Sequence, residues 1–153
     1  MEALLVTLES SALASAMRSS HFLYPLANVI HILAALTFFA SVAAMDVKLL
    51  RASSIGEARV FMAQIRPWAA IALVVQIASG LLLFAPEATH MWMNPVFRVK
   101  LILIAIALVN VIVVEMLIRG GDDNARSAAK GSALVSLGLW LSVAAGGRLI
   151  AYF

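Results

Sequence analysis

His31 stands inside a long apolar run of the chain, where an imidazole must either be paired or serve as a ligand. The run is YPLANVIHILAALTFFASVAAMDVKLL, Tyr24 to Leu50. Helical spacing places Tyr24, Asn28, His31, Ala35, Phe38 and Met45 on one stripe. One role is structural, a hydrogen bond to a backbone carbonyl or to Asn110. The other is axial ligation of haem b, in which iron takes the imidazole nitrogen and the propionates take cations. Lys100, Arg148 and Arg98 are the candidate cations, with Asn28 and Asn110 as polar neighbours. Arg98 and Lys100 could instead snorkel to the headgroups. No second histidine stands at matched depth on another span: His21 precedes the run, and His90 lies between Pro86 and Pro95.

The segment THMWMNP, Thr89 to Pro95, offers copper chemistry as an alternative. His90, Met91 and Met93, with His21 on the same side, are imidazole and thioether donors that suit copper. The same residues also read as an interfacial loop dipping Met91, Trp92 and Met93 into the headgroups. With 0 Cys there is no disulfide, thiolate metal site or iron–sulfur cluster. No serine–histidine–acid set, phosphate loop or HExxH pattern occurs. Glu115 reads as an interfacial carboxylate, and the cytoplasmic half of the molecule carries only ordinary loop charges.

These residues must be positioned by helices in lipid. Of 153 residues, 63% are hydrophobic and 12% charged, with a mean hydropathy of +1.01. A water-soluble domain could not hide that much apolar surface, so an all-α integral membrane four-helix bundle, one domain, is expected. The formal charge of +3 is ordinary for membrane-protein loops and gives no reason to expect nucleic-acid binding. Four stretches, about 26–48, 67–85, 97–118 and 131–152, are long enough to cross a hydrocarbon core. Pro67 and Pro86 bracket the second, Asn94-Pro95 opens the third, and Gly120-Gly121 closes it.

Residues 2–18, EALLVTLESSALASAMR, are apolar but interrupted by Glu2, Glu9 and Arg18. They read as an N-terminal amphipathic helix lying in the interface. A signal peptide, the competing reading, would want a basic start and a longer apolar core.

Lys48, Arg51, Arg59, Arg66, Arg119, Arg126 and Lys130 lie on one side, seven against the four of Arg18, Arg98, Lys100 and Arg148. The positive-inside rule then puts both inter-span loops in the cytoplasm and both termini in the periplasm of a bacterial inner membrane. Ala69, Ala72, Gln76, Ser79 and Gly80 form a small-polar stripe, and Gly138, Ser142 and Gly146 repeat at four-residue intervals. Both stripes suit close helix packing, within the chain or, for the second, between copies. On the third span Lys100, Leu103, Ala107, Asn110 and Val114 share a face, which turns Lys100 inward and Arg98 elsewhere.

Three segments carry a resemblance: SALASAMRSSHFLYPLANVIHILAALTFFASVAAMDVKLLR, NPVFRVKLILI and SLGLWLSVAAGGRLIAYF. Together they resemble an uncharacterised family of small bacterial four-span membrane proteins. Its anchors here are His31-Ile32, Asp46 to Leu50, Asn94-Pro95 with Phe97-Arg98 and Lys100, and Gly147-Arg148. More distantly the plan is similar to the superfamily of the copper-resistance D membrane protein and HemJ-type protoporphyrinogen oxidase. That similarity implicates His31 and Lys100, and through the HemJ-type proteins it implies haem b; the extra N-terminal helix and the NPxFRxK run depart from it. The expected function is haem b binding for electron transfer or quinone-linked redox chemistry, with the bilayer, a quinone or a redox partner protein as partners. Copper handling at the periplasmic face and a non-catalytic membrane subunit are the alternatives.

Overall fold

A computed structural model describes residues 2–120 and 125–149, the last two as backbone only. Among the described residues every regular element is helical. In chain order these are α1 (Glu2–Glu9), α2 (Ala12–Ser19), α3 (Leu23–Arg51) and α4 (Ile55–Phe84). A 3₁₀ turn (Ala85–Glu87) leads to α5 (Ala88–Met93), α6 (Pro95–Gly120) and α7 (Ala125–Leu149). Helices α3, α4, α6 and α7 are each long and apolar enough to cross a membrane. The chain is an integral membrane bundle.

Local chemistry sets the boundaries. Pro25 falls in the first turn of α3, where a missing N–H costs nothing. Ser54 caps α4 by accepting from the Glu57 amide at 3.2 Å. The Asn94 side chain accepts from Val96 N at 2.9 Å and opens α6 ahead of Pro95. Helix α4 begins twelve residues before Pro67, so that proline lies inside it and not at its start. The ring removes the amide that would bond Ala63, a loss that membrane helices accommodate through their neighbours. The apolar segment 67–85 is thus the second part of a longer helix.

The N-terminal segment is two helices and not the one helix expected over 2–18. Ser11 breaks it: its side chain accepts from the Ala14 amide at 3.2 Å and caps α2. Together α1 and α2 lie on the 85–93 segment and form a cap over one end of the bundle. The other end carries the short connections α3–α4 and α6–α7 and is called here the loop end.

Alanine and other small side chains let the long helices approach, and dispersion at close range is the gain. Helix α3 packs against α4 and α7, and α6 packs against α7. At mid-height Phe38 meets Trp140 edge-to-face, centroids 4.6 Å apart, beside Ala69, Ala72 and Ala107. Nearer the loop end Leu49, Ile55, Met62, Val114, Ile118 and Ala129 form a second core. The outward surfaces are apolar as well, with Leu33, Val74, Ile102 and Leu134 each more than half exposed, as lipid contact requires.

The small-residue stripes divide. Ala69, Ala72 and Ser79 are buried. Gly138 and Ser142 are exposed and do not bring helices of this chain together. The buried face of α7 is Ala129, Ala133, Ser136 and Trp140 instead. Alanine methyls plus one indole fill the α3–α7 interface better than a glycine groove.

Candidate functional site

His31 lies eight residues into α3, and Gln76 eight residues before the end of α4 (31 − 23 and 84 − 76). Antiparallel helices therefore place them at one depth, toward the cap end. The Ser79 hydroxyl donates to Val75 O at 2.7 Å. Its oxygen is then free to accept from His31 Nδ1, 3.0 Å away. That bond places the proton on Nδ1 and leaves a lone pair on Nε2. Gln76 Nε2 lies 2.9 Å from this nitrogen and donates to it. The Gln76 carbonyl oxygen, by contrast, is buried with no partner among the described residues.

Gly80 explains how the ring fits so close to α4. A Cβ at that position would stand 3.2 Å from His31 Cε1 and 3.6 Å from Nδ1. Lys100 arrives from α6 and lies along α7, where a Cβ on Gly147 would stand 3.2 Å from its Nζ. It lies five residues into α6 (100 − 95), toward the cap end as His31 does. Four helices thus contribute to one polar level: His31, then Gln76 with Ser79 and Gly80, then Lys100, then Gly146-Gly147.

The other expected site residues fall elsewhere. Asn28 is exposed, not turned toward His31. Asn110 belongs to a different pair: its Nδ2 donates to Ser132 O at 3.0 Å, and Ser132 Oγ donates to its Oδ1 at 2.7 Å. It joins α6 to α7 and does not partner His31. Arg98 is exposed while Lys100 is half-buried. The Arg148 side chain lies outside the described residues.

The copper candidates belong to the cap. His21 and His90 are exposed, Met93 is exposed, and Met91 is half-buried. Among the described residues no three His, Cys, Asp or Glu side chains gather closely enough to share an ion. What holds the cap is Arg18, which donates to Pro86 O at 2.9 Å and to Glu9 O at 2.8 Å. Glu9 Oε1 in turn accepts from the Thr89 amide at 2.7 Å.

A model of the family of unknown function DUF6644 matches residues 9–153. The chain belongs to that family. No curated protein matches it, and no solved structure does.

This DUF6644 chain has a second polar region, at the loop end, where only ordinary loop charges are expected from the sequence. Glu115 is not a free interfacial carboxylate: Arg66 donates to it at 2.5 Å and Arg119 at 2.6 Å. Deeper in, Asp46 is only 4% exposed. Its Oδ2 has no hydrogen-bond partner among the described residues, and Ser136 of α7 lines the same cavity. A cavity of about 520 Å³ lies beside it, walled by α4 and α6. The sequence signal was present in Asp46 itself, a carboxylate five residues inside the end of α3 (51 − 46), overlooked beside Lys48 and Arg51.

Proposed function

We propose that the His31 level of the bundle is a haem b site and that the protein serves membrane electron transfer or quinone-linked redox chemistry. The observation that carries the reading is the pairing of the two ring nitrogens, Nδ1 with Ser79 and Nε2 with the Gln76 amide, from which the Nδ1–H tautomer is assigned. Ligating histidines characteristically donate their second ring N–H to a fixed acceptor, which aims the other nitrogen's lone pair. Here Ser79, itself locked onto Val75 O, takes the Nδ1 proton, and Nε2 keeps its lone pair.

One feature opposes iron at that nitrogen. Gln76 already donates to Nε2, so ligation and this hydrogen bond exclude each other. Protein groups already satisfy both ring nitrogens, so haem at His31 would require the Gln76 amide to turn away. Leaving would break the 2.9 Å bond to Nε2 and strand a buried amide donor, a cost of about 1–3 kcal/mol that ligation has to exceed. Bound there, haem b would supply one-electron chemistry within the bilayer. The chain's part is to fix the imidazole through Ser79, to present the Lys100 ammonium to an anionic group, and to exclude water with the apolar helices. The resemblance read from the sequence to the copper-resistance D and HemJ-type superfamily would imply the same pairing of His31 with Lys100. The side of the membrane belongs to the same proposal: the cap and both termini in the periplasm, the loop end in the cytoplasm of a bacterial inner membrane.

Absorbance of the purified full chain tests this. A Soret band, lost in His31→Ala and retained or strengthened on haem titration of Gln76→Leu, is the expected result. A colourless preparation that gains no Soret band on haem titration overturns the reading and leaves the cluster as a hydrogen-bonded clasp between α3 and α4.

A further inference from the structure

We infer that the loop-end cavity is a second ligand site, entered from the bilayer, for a lipophilic organic cation: a protonated amine on an apolar body. The geometry begins with the unequal packing of the four long helices. Helices α3 and α4, α3 and α7, and α6 and α7 are closely packed pairs, and the α4–α6 seam is the loose one. The cavity occupies that seam. Its back is α3 with Ser136 of α7, its side walls are α4 and α6, and it opens outward past Ala70 and Met116, both exposed on the apolar surface. A ligand dissolved in lipid reaches it without crossing water. At about 520 Å³ the space falls in the range of small-molecule pockets.

Asp46 gives the cavity its chemistry. The residue is 96% buried (100 − 4), lines the cavity and keeps one carboxylate oxygen without a hydrogen-bond donor. A carboxyl in that position has three ways to be satisfied: a proton, a cationic side chain, or a ligand. The two arginines that line the same cavity, Arg66 and Arg119, are both spent on Glu115. Lys48, two residues away on α3, is bound to Glu57 at 2.5 Å. With both arginines and Lys48 bound elsewhere, no cationic side chain of the described residues is left for Asp46; an ammonium from outside the chain would bring an N–H to that carboxyl and apolar bulk for walls such as Phe38, Leu73 and Leu108. The Arg66–Glu115–Arg119 group at the loop-end margin adds a positive edge that excludes a second cation and orients the first with its charge toward Asp46. This inference does not rest on the haem reading, since the two sites use different residues at different depths.

The test uses 1-naphthylmethylamine, a fluorescent amine protonated at neutral pH, and its neutral isostere 1-naphthalenemethanol. Both are titrated into the purified full chain in detergent. The ammonium is expected to bind saturably and about tenfold or more tighter than the alcohol. Asp46→Asn is expected to remove that preference. Ala70→Trp, a change on the exposed rim, is expected to abolish binding of both while leaving Asp46 and the core intact. Equal binding of the ammonium and the alcohol would show a hydrogen-bond site with no charge selection and overturn the proposal. Binding unaffected by Ala70→Trp, or no saturable binding of the ammonium, would overturn it as well.

Discussion

At the scale of single residues, two glycines decide how close polar side chains may come to a neighbouring backbone, and they are not equivalent. A methyl on Gly80 would press on the His31 ring, which is held on both nitrogens and cannot retreat. A methyl on Gly147 would meet the end of Lys100, a flexible chain that can move aside. Gly80→Leu is therefore expected to cost about 1–3 kcal/mol by overpacking, and Gly147→Ala much less. Unfolding of the detergent-solubilised variants measures both. Adding His31→Ala to Gly80→Leu should return most of the loss, because the clash partner is gone. Additive losses in that pair would mean that the ring is not what Gly80 accommodates.

The same scale shows why the site was only partly legible in the sequence. His31 and Lys100 stand out because charged or imidazole groups are scarce in apolar runs. Gln76 and Ser79 do not, since at their spacing they pass for packing residues on a small-polar stripe. What brings them to His31 is depth counted from the cap end, and depth requires the helix ends. Asp46 was missed for a related reason. Near the end of the span expected over 26–48, beside Lys48 and Arg51, it passes for one more ordinary end charge, but α3 continues to Arg51 and Asp46 is buried within it.

At the scale of elements, length and hydropathy were enough for four long helices, and hydrogen-bonding detail was needed for the rest. Pro67 looks like a start signal, yet α4 runs through it because Ser54 supplies a better one. Residues 2–18 look continuous, yet Ser11 competes for the backbone and divides them. The resulting α1–α2 cap docks through buried Ala14 and Met17 and through the polar bonds of Arg18. Its bonds to Pro86 O and Glu9 O are charge-assisted, each worth roughly 1.5–3 kcal/mol. Removing them by Arg18→Ala should loosen the cap and little else. Hydrogen exchange is expected to quicken across residues 2–19 and at Thr89, whose amide depends on Glu9, while the amides of α3 and α6 keep their protection. Faster exchange spreading through α3 would instead make the cap part of the bundle's cooperative core.

At the scale of the whole molecule, the two ends differ in how they use their charges, and this bears on orientation. Most of the loop-end cations have structural work. Arg59 donates to Ile118 O at 2.6 Å and Arg119 O at 2.8 Å, and Arg126 to Ala52 O at 2.6 Å, so both cap carbonyls at the C-terminal ends of helices. Arg66 and Arg119 share Glu115, and Lys48 pairs with Glu57. The topological signal nonetheless depends on Lys and Arg near the span ends and only weakly on acidic neighbours, so pairing in the folded bundle does not erase it. Orientation is chosen during insertion, before these bonds exist. The loop end, with seven of the eleven cations, is expected in the cytoplasm. The chain has 0 Cys, so single-cysteine variants report without a background. Glu87→Cys at the cap end and Gly56→Cys at the loop end replace exposed residues, and a Cβ at Gly56 would make only an ordinary contact, with Ser54 Oγ at 3.8 Å. A membrane-impermeant maleimide applied to spheroplasts should label the Glu87→Cys protein at once and the Gly56→Cys protein only after lysis. The reverse pattern would turn the bundle over and put the Asp46 cavity nearer the periplasm. Labelling of both in intact spheroplasts would mean that the seven-to-four excess is too small to fix one orientation.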